Sequence, residues 1–261
     1  MRKYIFLCFL CVNSFLYAQV DYSATWEDFY SYNNVKDFVK VDNLIYALVD
    51  NAVFTYNETT SAISKFSSVQ GLSGETTSSI YYNSTFKRLV IGYENGLIEV
   101  IGENESITIS SDIVSFSQSG QKSINHISEF GNTLYLSTPF AIVEYDIEKL
   151  EFGDTFFIGN GSTSLIINKT FVLNDKIYAV TEDGIFNADV TSNLLIDFNN
   201  WEQQFLGRNF TNIIAFENQV FVSEGTNLFE FKNSLLSLVR DFFEPIINLN
   251  ASSDYLIIAL N

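Results

Sequence analysis

Residues 177–188 read Ile-Tyr-Ala-Val-Thr-Glu-Asp-Gly-Ile-Phe-Asn-Ala, an apolar run, a polar turn that carries Gly184, and a second alternating apolar run. This pattern predicts a β-hairpin. It recurs four more times, and the starts of consecutive copies lie 44, 45, 43 and 43 residues apart, in the stretches 45–56, 89–100, 134–145, 177–188 and 220–231. A sixth copy begins at Leu256. A repeat of about 40 to 45 residues with several short strands is typical of a β-propeller blade, so the sequence predicts an all-β propeller of four-stranded blades.

The eighth position of each copy holds a small or turn-forming residue: Ala52, Gly96, Ala141, Gly184 and Asn227. Gly has no Cβ and Asn tolerates the left-handed region, so the two glycines and Asn227 are predicted to close their hairpins with a positive φ. The two alanines do not fit that account, and their turns are expected to be of another type or to require only a small side chain. All five residues are interpreted as structural turn positions, not as site residues.

The remaining strands of each blade follow from the segments around the hairpins. An innermost strand is predicted about ten residues before a hairpin, as in 124–130, 171–173 and 213–216. A weaker outer strand is predicted after it, as in 107–109, 155–158 and 194–198. Thr, Ser, Asn, Val, Ile, Tyr and Phe dominate the chain, which favours strands over helices. Only residues 235–243 also suit a helix, and a buried strand pair explains them equally well.

The repeat length predicts about five and a half blades, an incomplete ring of an expected seven-bladed propeller. Because an open ring exposes strand edges, three explanations stay open. The chain continues in the intact gene, residues 24–32 complete the last blade, or the chain is a fragment that is unstable alone. The first is favoured. The predicted domains are a signal peptide over residues 1–18 and a propeller, truncated at its C-terminal end, over residues 19–261.

Residues 1–18 carry the features of a secretory signal: Arg2 and Lys3, an apolar run and a small residue, Ala18, before the cleavage point. The protein is therefore expected in the periplasm, at the outer membrane or at the cell surface. Both cysteines lie in this segment, so the mature chain is predicted to have no disulfide and no thiolate metal site. The chain has 31 acidic and 14 basic residues and a net charge of -17, which argues against a nucleic-acid partner and indicates a solvated acidic surface.

Residues suited to catalysis are few. His126 is the only histidine, so no Ser-His-Asp set can be proposed; it is expected to be a hydrogen-bonded structural residue, with a ligand-binding role in the channel as the alternative. No metal site and no cofactor site is predicted. Paired carboxylates for glycoside hydrolysis stay open because any two acids can converge in the fold. The aromatic residues, Trp26 and Trp201 among them, are expected in the core, with a carbohydrate-stacking surface as the alternative.

Several strings occur in an order that resembles one family, the N-terminal propellers of PorZ-type proteins in the type IX secretion machinery of Bacteroidetes. They include Gly71–Gly74 (GLSG), Ile91–Gly96 (IGYENG), Lys122–Asn125 (KSIN), Tyr135–Thr138 (YLST) and Thr181–Ile185 (TEDGI). The resemblance implies a non-enzymatic role at the cell surface. It also implies sortase-like and outer-membrane partners in an attachment complex, and an anionic lipopolysaccharide ligand whose binding residues it does not identify.

Two other classes of function stay open. The Gly-Leu-Ser string is also similar to the periplasmic sensor propellers of hybrid two-component regulators. A propeller enzyme that acts on glycans is the third class, and it requires acids or a metal converging at one mouth of the channel.

Overall fold

The computed structural model describes residues 28–117, 119–252 and 254–261. The predicted signal over residues 1–18, together with Trp26, lies outside these ranges. The described residues form 22 strands. Within them, helix is limited to one α-helical turn, α1 (Asp112–Ser115), and to 3-10 turns at Ser68–Gln70 and Phe198–Asn200.

The strands form six antiparallel sheets, each a blade built from strands consecutive in sequence. The first three blades are β1 (Asp37–Val41), β2 (Leu44–Val49), β3 (Ala52–Asn57) and β4 (Ile63–Phe66); β5 (Thr77–Asn83), β6 (Arg88–Tyr93), β7 (Ile98–Ile101) and β8 (Ile107–Ser110); and β9 (His126–Phe130), β10 (Thr133–Ser137), β11 (Ile142–Asp146) and β12 (Glu151–Phe156). The last three are β13 (Ile167–Leu173), β14 (Lys176–Thr181), β15 (Gly184–Asp189) and β16 (Glu202–Gln204); β17 (Asn212–Phe216), β18 (Gln219–Glu224), β19 (Asn227–Lys232) and β20 (Leu235–Asp241); and β21 (Ile246–Ala251) with β22 (Leu256–Leu260).

The repeated hairpin is the central strand pair of each four-stranded blade. In the fourth blade, β14 and β15 pair from Ile177 with Ala188 to Thr181 with Gly184, which leaves a two-residue loop. With five four-stranded sheets and one two-stranded sheet, the prediction of an all-β propeller with about five and a half blades is confirmed. The expected seventh blade stays a prediction.

Apolar side chains pack between neighbouring blades, so the second to fifth sheets are covered on both faces. Consecutive residues of β10 show this: Leu134 and Leu136 pack with the second blade, whereas Tyr135 packs with the fourth. Side chains of a strand alternate between faces, so an uninterrupted apolar run fills two interfaces at once. Five such clusters each join one blade to the next.

Two sequence-based expectations about strands need correction. Residues 194–198 are not the outer strand of the fourth blade but a turn, and the outer strand is the polar segment β16. In the turn, Leu195 is 4% exposed, while its neighbours Leu194 and Ile196 are 54% and 56% exposed. The apolar residues 194–196 therefore contribute one side chain to the core and do not form a strand. Residues 235–243 are neither a helix nor a buried strand pair, since they contain the largely exposed edge strand β20.

The alternative in which residues 24–32 complete the last blade also fails for the part that is described. Residues 28–32 contact the first blade, where Ser67 Oγ donates a hydrogen bond to Asp28 Oδ2 over 2.9 Å. The ring of Tyr32 lies 4.4 Å from Lys65 Nζ. Among the described residues, the sixth sheet contains β21 and β22 alone.

Across the described ranges, no helix combines the length and the apolar character needed to cross a bilayer.

Candidate functional site

The innermost strand of every blade borders a central channel. Residues of β1, β5, β9, β13, β17 and β21 line a cavity of about 320 Å³. The six strands contribute one after another around the ring, so residues that are far apart in sequence become neighbours. The channel is therefore the place where the repeat brings chemically different side chains together.

One position of the repeat supplies the polar residues of the channel. The residue eight places before the start of each hairpin copy is polar in all six copies: Asp37, Tyr81, His126, Lys169, Asn212 and Asn248. All of these except Asn212 line the cavity. Of these residues, only His126 was a candidate from its residue type, although aligning this position across the copies gives the others.

Three of these residues form a hydrogen-bonded chain across the channel. Lys169 Nζ donates to Asn248 Oδ1 over 2.5 Å, and Asn248 Nδ2 donates to Asp37 Oδ1 over 3.5 Å. The backbone N–H of Phe38 donates to the same Asp37 oxygen over 2.9 Å. These hydrogen bonds connect the fourth, sixth and first blades. They hold the ring together by polar contacts at the two-stranded sixth sheet.

Burial shifts the ionisation of these groups toward their neutral forms. It raises the pKa of Asp37, against the opposing effects of the Phe38 amide and the Lys169 charge. It lowers the pKa of Lys169 to about 8, a shift that the nearby Asp37 charge reduces. Burial and then the charge of Lys169 lower the pKa of His126 to about 3, so the imidazole is neutral at physiological pH.

His126 does not have the hydrogen bonds expected of a structural histidine. Its Nδ1 is buried and has no partner among the described residues. The expectation is therefore wrong for this atom, and the alternative position in the channel is the observed one. A buried nitrogen without a partner loses its hydration, which gives a ligand a reason to bind there.

The Gly-Leu-Ser-Gly string at 71–74 has a structural role. The backbone N–H of Ser73 donates to Glu99 Oε1 over 2.8 Å, and the Tyr93 hydroxyl donates to Glu99 Oε2. The Glu99 side chain is fully buried between the first two blades. The string therefore fastens a loop to the second blade through a buried carboxylate.

A set of polar side chains ties each blade to the next at the end where the repeated hairpins turn. Each side chain lies just before or at the start of an innermost strand and donates to a backbone carbonyl of the following blade. The bonds are Lys36 Nζ to Thr77 O (2.8 Å), Ser78 Oγ to Ile124 O (2.8 Å), Asn125 Nδ2 to Ile167 O (2.8 Å) and Asn168 Nδ2 to Phe210 O (2.7 Å). These contacts fix the rotation of each blade relative to its neighbour.

The five turn positions all lie at this same end of the blades. Gly96 and Gly184 have φ values of 89° and 107°. The expectation of a positive φ at Asn227 is wrong: the left-handed residue of its turn is Gly225, with φ 58°, and Asn227 is the first residue of β19, paired with Glu224. Ala52 and Ala141 are fully buried and have no positive φ.

Trp201 belongs to the core. It is 7% exposed, its indole N–H donates to the carbonyl of Leu195 over 2.9 Å, and its ring lies 6.5 Å from that of Phe156. It is therefore not available as a carbohydrate-stacking surface. No group of three or more metal-ligating side chains converges within the described ranges.

Comparison with known proteins places this fold in a family. Residues 45–202 match the family model described as "TSS9, PorZ, N-terminal beta-propeller domain". The chain belongs to this family. The resemblance that the ordered strings indicated is confirmed: the chain contains a PorZ-type propeller of the type IX secretion system.

Solved structures share the fold. PorZ of Porphyromonas gingivalis, described as an essential bacterial surface component of the type-IX secretion system, aligns with a TM-score of 0.69 and 18% identity over 79% of this chain and 28% of that one. The extracellular domain of a protein assigned to a hybrid two-component system of B. thetaiotaomicron aligns with a TM-score of 0.67 and 14% identity, over 90% of this chain and 33% of that one.

These identities show the fold alone. The chain spans 28% of the length of the PorZ structure, so the activity and partners of the whole PorZ protein are not carried over. A search among curated proteins gives no match.

Proposed function

We propose that the chain is a non-enzymatic propeller subunit of the type IX secretion attachment complex and supports the sortase-linked anchoring of cargo at the cell surface. The observation that carries this proposal is the family match over residues 45–202. Export by the predicted signal at 1–18 brings the chain to the periplasm and the outer membrane. Its partners are then the sortase-like and outer-membrane components of the complex.

The geometry supports a scaffold because the blades are locked together. Five apolar clusters and the side-chain to carbonyl hydrogen bonds described above join neighbouring blades over the ring. A rigid ring holds partner surfaces at fixed angles without any reacting group. The propeller fold itself does not determine function, so the function of such a ring depends on the surfaces and sites that it carries.

A candidate partner surface lies on the outer strand of the fifth blade. Leu235, Leu238 and Val239 of β20 are 69%, 60% and 52% exposed. β20 is the edge strand of its sheet, and an exposed edge strand is a place where a segment of another protein can pair. We therefore place the contact with a protein partner on this strand, which we call the β20 patch.

Co-purification tests the proposal. A tagged full-length chain is expressed in its native bacterium, and the co-purified sortase-like and outer-membrane components are measured by mass spectrometry. Leu238→Glu is expected to reduce their recovery at least tenfold. The control, Ile63→Glu, changes an aliphatic residue that is 65% exposed on the outer strand of the first blade, and recovery is expected to stay within twofold.

Two results would overturn the proposal. Wild-type protein that recovers a histidine kinase and no secretion component favours the sensor alternative. Hydrolysis of surface polysaccharide by purified protein, lost on replacing one acidic pair, overturns the non-enzymatic assignment. Equal losses for both variants would remove the β20 patch as the docking surface while leaving the attachment role in place.

Binding of anionic lipopolysaccharide is the finer part of the proposal. The net charge of -17 repels a polyanion at long range, and this repulsion is screened by salt. We therefore expect the affinity for purified anionic lipopolysaccharide to rise between about 20 and 150 mM NaCl, in contrast to a site built from clustered basic residues. Isothermal titration at both salt concentrations measures this. A fall in affinity with salt would point to a local basic site instead.

A further inference from the structure

The scaffold role leaves the interior of the channel unexplained. The hydrogen bonds of Lys169, Asn248 and Asp37 join blades, but they do not use His126. The cavity of about 320 Å³ therefore holds an amine, an imidazole, amides and two carboxyl groups, those of Asp37 and Glu129, beyond what the ring needs. Ligand pockets in proteins range from about 300 to 1,000 Å³, so the cavity is large enough for a small molecule. Asp37, His126, Lys169 and Asn248 are called the channel quartet below.

The channel quartet retains unused hydrogen-bonding capacity of both kinds. His126 Nδ1 is buried without a partner, and the second carboxylate oxygen of Asp37 accepts no hydrogen bond from the described residues. Lys169 uses one of its three N–H donors on Asn248. In the tautomer whose Nδ1 carries no proton, the site accepts hydrogen bonds at His126 and Asp37 and donates them from Lys169.

The charge of the quartet excludes strongly charged ligands. An anion that approaches Lys169 also meets the Asp37 carboxylate and lies in a cavity that Glu129 lines too, and a cation that approaches Asp37 also meets the Lys169 ammonium. In a partly buried site, the unfavourable contact is not screened as it is in water. A neutral molecule with several hydroxyl groups makes both kinds of hydrogen bond and has neither repulsion.

The wall of the channel suits the carbon skeleton of such a molecule. Phe38 and Phe171 line the cavity beside the quartet, and Phe38 is 37% exposed although it lies on an innermost strand. Aromatic faces next to hydrogen-bonding groups give a site that is apolar on one side and polar on the other.

We propose that the central channel binds a small, uncharged, polyhydroxylated molecule, a sugar or another polyol. Hydroxyl groups of the ligand donate to His126 Nδ1 and Asp37 and accept from Lys169, while its C–H face lies against Phe38 and Phe171. This proposal goes beyond the attachment role, because the site lies inside the ring and not on the β20 patch.

The sole histidine of the chain provides the test. The ring signals of His126 in the full-length protein are followed by NMR during titration with D-glucose and with myo-inositol, and in parallel with potassium phosphate and glycine. At least one polyol is expected to shift the signals saturably, with a Kd on the order of millimolar for a ligand of this size. Phosphate and zwitterionic glycine are expected to cause no saturable shift.

Matched variants separate the site from general effects. Lys169→Met retains His126, whose NMR signals report binding, and is expected to weaken polyol binding at least tenfold. Lys149→Met makes the same change at a side chain that is 67% exposed on the surface, and the affinity is expected to stay within twofold. Should Lys169→Met fail to fold, His126→Phe, followed by saturation transfer to the ligand, is expected to abolish the signal.

Three results would overturn the proposal: no saturable shift by either polyol up to about 100 mM, saturation by phosphate or glycine at equal affinity, or equal weakening by Lys149→Met. None of them changes the expected co-purification result, so failure of the channel site and failure of the attachment role are distinguishable.

Discussion

Gly184→Ala is predicted to destabilise the protein strongly, although it adds only one methyl group. Gly184 begins β15 at the turn of the hairpin and has a φ of 107°, a value that residues with a Cβ rarely adopt. A Cβ at this position would overlap the carbonyl oxygen of Gln204 and lie 3.1 Å from that of Phe205. Both obstacles are backbone atoms, one in the last residue of the outer strand β16 and one in the residue that follows it, so no side-chain rotation removes the overlap.

The magnitude follows from two contributions. Placing alanine in a sparsely populated backbone region costs about 1–3 kcal/mol. Moving the outer strand to remove the overlap costs about 1–3 kcal/mol more, as other cases of overpacking do. The expected loss is therefore about 2–6 kcal/mol out of a folding free energy of about 5–15 kcal/mol.

Urea unfolding followed by the fluorescence of the buried Trp201 measures the loss. Gly131→Ala is the control: its φ of 61° is also positive, but a Cβ there meets nothing within 4 Å. It is expected to cost only about 1–2 kcal/mol. With m near 2–3 kcal/mol/M, the midpoint for Gly184→Ala lies about 1 M urea or more below wild type. If the two variants lose equal stability, the overlap with the backbone oxygens of Gln204 and Phe205 is not the reason why glycine is required at position 184.

Three further predictions concern buried polar groups. Glu99→Ala leaves the Ser73 amide and the Tyr93 hydroxyl without an acceptor. It should lower the free energy of unfolding, measured in urea, by about 3–5 kcal/mol, and the control Glu99→Gln should lower it by about 1–2 kcal/mol. Asn125→Ala removes the hydrogen bond to the next blade and should cost about 1 kcal/mol, whereas exposed Asn34→Ala should cost less than about 0.5. His126 is harder to protonate in the folded state, where its pKa is about 3, than in the unfolded chain. Its contribution to the free energy of unfolding is therefore constant above pH 7 and is lost as the pH falls from about 6.5 to 3. Wild type should lose more stability over that window than His126→Phe.

Each of these predictions has a contradicting outcome. Equal losses for the Ala and Gln variants of Glu99 would show that its carboxylate oxygens do not satisfy the two donors. An Asn125→Ala protein as stable as wild type would remove the contact between blades as a source of stability. Parallel pH curves for wild type and His126→Phe would show that the imidazole titrates equally in the folded and unfolded states.

The repeat determined how much of the fold the sequence could predict. A hairpin that recurs at intervals of 43 to 45 residues predicted the central strand pair of every blade, because apolar positions at a fixed spacing can form a continuous core only by stacking. The outer strands were harder to predict. β16 is short and mostly polar, since it lies at the solvent-exposed rim, while the apolar run 194–198 needs only Leu195 to fill a gap.

The turn at Asn227 shows the limit of aligning repeats by position. Gly225 and Asn227 are two residues apart, and either type of residue can adopt a left-handed conformation. The pairing of Glu224 with Asn227 decides between them, since it leaves Gly225 and Thr226 as the loop. Strand register is a property of the folded sheet, and the alignment contains no information about it.

The channel was missed for a different reason. Six polar residues at one repeat position look like ordinary surface residues, because each lies in a short strand in which polar and apolar side chains are mixed. Only the ring places them around one axis, where Lys169 meets Asn248 although 79 positions separate them in sequence. The repeat therefore carries two signals: apolar hairpin strands at a fixed spacing keep the blades alike, while side chains that differ at the inner position make the channel chemically asymmetric. The buried Nδ1 of His126, which has no partner among the described residues, is what points to a ligand, together with the Asp37 and Lys169 side chains that line the same cavity.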